Sequence, residues 1–351
     1  MSIMSIQVLN YLEFESKLQR SGIGTAARHQ REALAETDIS VTTRPWQPGS
    51  PDTRWPQFQP APGADLFHLN IAGPHSVALA SLAHRSNRPV IMHAHVTKED
   101  FSESFRGSTS FAPVVGKYLR WAYSKADMVL CPSSYTKSTL ESYPVEAPIK
   151  IISNGVDLDA LSGYRSLRES YRSQYNLEGP VVFAVGNVFE RKGLTTFCNV
   201  AQKLSYDFIW FGPYDSGPQA SRSVRHWTSD PPSNVTFTGW IDDVRGGFAA
   251  GDIYLFPTKA ENQGIAVLEA MACQKAVIIR DIPVFEEFYT DGYDCLKCST
   301  EKEFMTAVER LAADKMLRDR LGSNAQSTAA KHRLENIVMK LANIYERLIE
   351  Q

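Results

Sequence analysis

The chain has 351 residues, enough for two domains of ordinary size, and its 43% hydrophobic and 22% charged content is that of a globular protein. A formal net charge of −2 excludes a general nucleic-acid binder, and no apolar run approaches the roughly 18 residues that a membrane-spanning helix needs. The five cysteines, Cys131, Cys198, Cys273, Cys295 and Cys298, are an odd set that makes no disulfide framework, so reduced thiols in a cytosolic protein are expected.

The first residues lack a basic segment followed by a long apolar one and read as a strand rather than a signal peptide. Short apolar runs at 6–9, 39–42, 65–70 and 89–95 alternate with helical patterns near 24–36 and 75–85. That alternation predicts a parallel sheet wound by right-handed crossovers, a Rossmann-like domain. Between the first strand and helix, Arg20-Ser-Gly-Ile-Gly24 places Gly22 and Gly24 in a loop where backbone can come close to a ligand, although residue 27 is Ala and the full Gly-x-Gly-x-x-Gly is absent. Residues 44–63, rich in Pro, Gln and Trp, predict a long surface loop.

His93 and His95 fall at the end of the fourth apolar run, and if both continue the strand they point to opposite faces, which makes a poor metal pair. From 109 to 127, Phe111, Val114, Val115, Tyr118, Leu119 and Ala122 recur at helical spacing, with Lys117, Arg120, Trp121 and Lys125 among them. A strand at 127–131, a helix opening at Ser133-Ser134 and the run 149–157 close this domain. Asp157-Leu-Asp159 has the form of a metal motif, but two carboxylates without further oxygens make a poor Mg²⁺ site, and no metal is expected.

The second domain follows a polar helix at 163–175. Its strands are expected at 180–187, 207–212, 235–241, 252–257 and 276–279. Arg191 and Lys192, at the turn after Gly186-Asn187, offer a forked donor and a point charge suited to a diphosphate. After the strand at 252–257, Glu261-Asn262-Gln263-Gly264-Ile265 opens a helix at the carboxyl edge of the sheet, and the first amides of that helix suit a phosphate. Glu261 and Glu269 could reach about 12 Å apart along one ligand, which matches the ribose, diphosphate and hexose of a sugar nucleotide. The last helix, 335–350, carries Ile337, Leu341, Ile344 and Leu348 on one face.

In chain order, Ile152-Ser-Asn-Gly-Val-Asp157, Arg191-Lys192-Gly193, Gly239-Trp240 and Glu261-x7-Glu269 with Gly264 between resemble the signatures of the group-4 retaining glycosyltransferases of the GT-B fold. The resemblance implies an α/β chain of two Rossmann-like domains facing a deep interdomain cleft. The acceptor-side domain would span 1–156, with a last helix at about 336–351 packed back on it, and the donor domain 157–335. Catalytic roles are implied for His95, Arg191, Lys192 and Glu261. The sugar would be contacted by Glu261 and by His95, with His93 as the alternative, and the ribose by Glu269. Gly22, Gly24, Gly186, Asn187, Gly239, Trp240, Asn262, Gln263, Gly264 and Ile265 would hold the rest of the donor. No cofactor is implied beyond the nucleotide sugar, with UDP-glucose expected, and the leaving phosphate would take the acceptor's proton in a same-face displacement.

Within the family, His95-Val-Thr-Lys-Glu-Asp-Phe101, Ser-Tyr-Thr-Lys137 and Glu261-Asn-Gln-Gly264 look like the bacterial diacylglycerol glucosyltransferases. That likeness implies a lipid acceptor and a cytoplasmic enzyme peripheral on the anionic inner face of the cell membrane, reached through Lys117, Arg120, Trp121 and Lys125. A soluble or polysaccharide acceptor, or a nucleotide-sugar epimerase of the same fold, is the alternative reading.

Overall fold

A computed structural model describes residues 6–43, 63–102, 107–217 and 220–351, so the surface loop expected at 44–63 lies, except for Gly63, outside the described residues. The chain divides into two compact units. One comprises Met1–Lys98, Pro113–Gly155 and Leu334–Gln351, and the other Glu99–Ala112 and Val156–Arg333.

The first unit is built on strands β1 (Gln7–Tyr11), β2 (Ser40–Thr42), β3 (Leu66–Leu69), β4 (Val90–His93), β5 (Met128–Cys131) and β6 (Ile149–Ile151). They pair in parallel in the order β2-β1-β3-β4-β5-β6. Between them in the chain run helices α1 (Glu15–Leu18), α2 (Gly22–Ala35), α3 (Pro74–Arg85), α4 (Lys98–Phe101), α5 (Ser108–Tyr123) and α6 (Ser134–Ser142), of which α4 from Glu99 and α5 up to Ala112 belong to the second unit. β3, β4 and β5 are buried at every position, as strands covered on both faces must be. Leu9, Phe67, Met92 and Val129 pack with α3, α5 and α6, while their neighbours Val8, Leu66, Ile91 and Leu130 pack on the other face with α2.

The second unit repeats the plan with β7 (Val181–Val185), β8 (Asp207–Phe211), β9 (Val235–Gly239), β10 (Ile253–Phe256), β11 (Ala276–Arg280) and β12 (Leu296–Cys298). Its sheet is parallel in the order β12-β11-β10-β7-β8-β9. The helices are α7 (Arg168–Gln174), α8 (Leu194–Ala201), α9 (Arg222–Ser229), α10 (Val244–Ala250), α11 (Ile265–Ala272), α12 (Pro283–Glu286), α13 (Glu301–Ala313) and α14 (Lys315–Ala329). Ends are set by side chains: Thr300 and Glu303 form a capping box on α13, and Asp314 caps α14 through Leu317 N (2.9 Å).

The last helix, α15 (Leu334–Ile349), returns to the first unit and lies with α2 on the Val8, Ile91 and Leu130 face. It buries Ile337, Val338, Leu341, Ile344, Tyr345 and Leu348. At about 2 kcal/mol for each large apolar side chain, this contributes on the order of 10 kcal/mol of transfer free energy.

Gly22 and Gly24 are not in a loop. They form the first turn of α2, with the Ser21 hydroxyl accepting from Gly24 N at 3.3 Å. A Cβ on Gly24 would stand 2.2 Å from Leu18 O, so this glycine lets α1 end hard against α2.

Candidate active site

β7 and β10 are neighbours in the second sheet, so the turns after them lie side by side at its carboxyl edge, where open α/β sheets bind ligands. After β7 the chain passes Gly186, at φ 124°, and Asn187, then makes a 3-10 turn at Glu190–Lys192 that ends on Gly193 at φ 82°. A Cβ on Gly193 would stand 2.2 Å from the Pro257 carbonyl oxygen, so glycine is what lets the two turns touch. Lys259 N donates to Arg191 O (2.8 Å) and Arg191 Nη1 to Ala260 O (2.7 Å), fastening one turn to the other.

This fastening gathers charge. Buried Arg191 lies 2.8 Å from Asp100 and 3.5 Å from Glu261 Oε1, and Lys192 Nζ reaches the same Glu261 oxygen at 2.5 Å. Lys192 also stands 4.9 Å over the Phe256 ring, and the Thr258 hydroxyl is 3.2 Å from Glu261 Oε1. Burial pushes the Glu261 carboxyl up, but Lys192 and Arg191 outweigh it and hold the pKa below the usual carboxylate value. Asp100 goes the other way: burial raises its pKa more than Arg191 lowers it. Asp100 lies inside the 95–101 stretch, but nothing in the sequence pairs it with Arg191, which is distant in the chain and linked to it by no spacing rule.

α11 completes this edge. Its N-cap is Gly264 at φ 83°, and the bond from Val267 N to Gly264 O (3.0 Å) opens the helix. The amides of Ile265 and Ala266 precede that bond and carry the positive end of the helix dipole. Asn262 and Gln263 are buried in the same turn, so Arg191, Lys192, Glu261, Asn262, Gln263, Gly264 and Ile265 form one patch. Glu269 stands apart from that knot, farther along α11. It lies near Tyr254, whose hydroxyl pKa is driven far up by burial first and then by Glu269 and Glu261. At the end of β9, Gly239 has φ 71° with open space around it, and the next residue, Trp240, is 43% exposed with its indole N–H donating to Asp242 at 3.2 Å.

In the first unit, β4 stops at His93, and His95 N donates to His93 O (3.1 Å). That tight turn carries His95 back over His93. The two rings therefore stack at 4.1 Å and 11° instead of pointing to opposite faces, as they would in a continued strand. Both are buried, and burial lowers both pKa values, that of His95 to about 3. On α5, Val114, Lys117, Arg120 and Trp121 are exposed, and Lys125 stands 5.9 Å over the Trp121 ring. Asp157 accepts from Ala160 N (2.8 Å) as a local cap. Among the described residues no group of three or more His, Cys, Asp or Glu gathers as metal ligands would, and no helix is long and apolar enough to cross a membrane.

Two parallel six-stranded sheets, with a charged knot and a helix start at the carboxyl edge of the second, have the architecture of the GT-B glycosyltransferases. HepE of Anabaena, in complex with UDP and glucose, has this fold with a TM-score of 0.79 at 19% identity, over 97% of this chain and 100% of its own. Sucrose-phosphate synthase from Thermosynechococcus elongatus has it with a TM-score of 0.76 at 18% identity, over 98% of this chain and 99% of its own. Residues 179–314 match the family model for glycosyl transferases group 1, and residues 21–160 that for glycosyltransferase family 4. The processive diacylglycerol alpha-glucosyltransferase of Acholeplasma laidlawii is 33% identical over 351 residues, 98% of this chain and 99% of its own. The chain belongs to the family 4 glycosyltransferases, and within them it resembles the diacylglycerol glucosyltransferases.

Proposed function

We propose that the chain transfers glucose from UDP-glucose to a hydroxyl of a membrane lipid, with retention at the anomeric carbon. The observation that carries this reading is the Arg191, Lys192 and Glu261 knot beside the first amides of α11. Two cations and a helix start at one sheet edge supply positive charge for a departing diphosphate. The bond from the anomeric carbon to the phosphate oxygen breaks while the acceptor oxygen bonds to the same face of that carbon, and the acceptor's proton passes to the departing phosphate oxygen. Glu261, ionised by its two cations, only accepts hydrogen bonds and suits the hydroxyls of the sugar. Glu269 takes the ribose, and Gly186, Asn187, Gly239 and Trp240 the nucleobase end. Gly22, Gly24 and His95 keep the donor roles that the family resemblance implies. UDP, glucose and the lipid are supported by the likeness to a diacylglycerol glucosyltransferase and to a fold crystallised with UDP and glucose. The exposed Lys117, Arg120, Trp121 and Lys125 suit an anionic bilayer, which makes this a peripheral enzyme of the cytoplasmic membrane face.

The test is a panel of radiolabelled UDP- and GDP-sugars incubated separately with lipid extract and with soluble acceptors, with the product's anomeric configuration read by NMR. UDP-glucose is expected to label lipid with an α-linkage. Label confined to soluble acceptors overturns the lipid assignment, a β-linkage overturns retention, and C2 inversion of the donor without acceptor overturns transfer itself.

A further inference from the structure

His95 is one end of a stack of three parallel imidazoles. His93 lies on it at 4.1 Å, and His68 of β3 lies on His93 at 5.5 Å and 10°. His68 Nδ1 is 2.6 Å from the Tyr345 hydroxyl of α15. The side of His93 is held by a directed chain of amides. Arg31 Nε donates to Asn10 Oδ1 (3.1 Å), as does Asn70 Nδ2 (2.8 Å); Asn10 Nδ2 donates to Gln30 Oε1 (3.1 Å), and Gln30 Nε2 lies 3.0 Å from His93 Nδ1. A guanidinium cannot accept a hydrogen bond, so Arg31 fixes which end of Asn10 is the oxygen. That choice fixes Gln30 in turn, and its amide nitrogen must donate to His93. His93 Nδ1 is therefore an acceptor, and its single proton sits on Nε2.

We infer that Gln30 and His93 are positioning residues which hold the His95 ring in one orientation and uncharged, so that His95 meets its ligand as a neutral hydrogen-bonding group across the physiological pH range. The inference rests on the proposed role of His95 at the donor sugar. A proton added to this stack would face another ring at 4.1 Å in a buried setting. Among the described residues, Arg31 of α2, which is itself paired with Glu15, and Tyr345 of α15 face the stack. Consistent with this, burial lowers all three imidazoles, with His68 and His95 at about 3.

A network that merely stabilises the fold would not tie the pH profile of activity to the hydrogen-bonding role of His93 Nδ1, and this separates the two readings. Gln30→Glu replaces the donor at His93 Nδ1 with an ionised acceptor, so His93 must carry a proton on Nδ1 and becomes easy to protonate. Asn10→Asp does the same by another route: its carboxylate cannot donate to Gln30 Oε1, so the Gln30 amide turns over and offers its oxygen to His93. With ¹⁵N-imidazole labelling, wild type is expected to show His93 protonated on Nε2 and not titrating between about pH 5.5 and 8. Both variants are expected to move that proton to Nδ1. Their kcat should fall about tenfold relative to wild type at pH 6, the size of one lost hydrogen bond, recovering towards pH 8.5 with little change in donor KM. A wild-type His93 protonated on Nδ1, or either folded variant with the wild-type tautomer and pH profile, overturns the inference. If wild type transfers no sugar from any nucleotide donor, the donor reading fails instead, and the tautomer measurement still decides the state of His93.

Discussion

Arg191 and Lys192 share one carboxylate oxygen of Glu261, so the effects of replacing them are coupled. If they stabilise the departing diphosphate, Arg191→Ala and Lys192→Ala each slow turnover by about two to three powers of ten. Wild-type kcat in both, with only thermal stability lowered, would leave them as structural counter-ions of Glu261. Asp100 gives a sharper test. Its carboxylate occupies Arg191 at 2.8 Å and competes with any anion for the same guanidinium. Asp100→Asn removes that competition, so UDP is expected to bind about tenfold tighter by calorimetry, as loss of one charged rival implies. Weaker UDP binding in this variant would show that Asp100 builds the site instead of contending for it. The same titration separates the two glutamates: Glu269→Ala should weaken UDP itself, while Glu261→Ala should chiefly impair the sugar. The sugar assignment fails if Glu261 matters more for the sugar-free nucleotide.

At the level of elements, α11 depends on Gly264 in a way that links backbone to chemistry. Its φ of 83° is left-handed, and a Cβ there would lie 3.3 Å from Val267 and 3.4 Å from Phe285. Gly264→Ala should lower stability by about 1–2 kcal/mol and weaken UDP binding with it, because the first amides of the helix shift. Unchanged UDP affinity in a folded variant would separate those amides from the phosphate. The start of α11 was legible in the sequence because a glycine after an apolar strand has few other uses. α10 was not: its Gly246 and Gly247 argue against a helix, yet a Cβ on Gly246 would strike the Tyr171 ring at 2.0 Å, so close packing on α7 selects glycine there. β12 has three residues and no periodicity to read, and its strand character comes from pairing with β11. The three-histidine stack was hidden for a related reason. His68 joins it through sheet register, and His95 only through a turn that alternation cannot foresee. α5 was legible as a helix, and its exposed Val114, Lys117, Arg120 and Trp121 carry a prediction of their own. Binding to vesicles should rise with anionic lipid, fall with salt, and weaken in a Lys117→Ser/Arg120→Ser/Lys125→Ser variant, by about 1 kcal/mol per cation at the surface. Sedimentation that ignores lipid charge would end the membrane role of this face.

The whole molecule carries its acid sensitivity in the first unit, where α15 returns to cover the sheet and hold His68 through Tyr345. His68, His93 and His95 are neutral in the folded chain because burial lowers each pKa, those of His68 and His95 to about 3. In the unfolded chain each titrates near 6.5. Below that value the unfolded state binds protons that the folded state does not, so stability is complete above about pH 6.5 and falls as pH drops towards 3. At pH 5.5 each histidine removes about 1.4 kcal/mol, and the three together about 4 kcal/mol, a large part of the roughly 5–15 kcal/mol that holds a typical fold. Glu261 does not act in this window: its lowered pKa contributes stability that is lost only as pH falls below the usual carboxylate range of about 4.5. Urea midpoints measured between pH 7.5 and 5.5 should therefore decline steadily. Replacing His68 with Gln, which keeps a donor for Tyr345 but cannot titrate, should flatten the slope by about a third. A midpoint independent of pH in the wild type, or the same slope in His68→Gln, would mean that these imidazoles titrate alike in the folded and unfolded chains and are not held neutral by the fold.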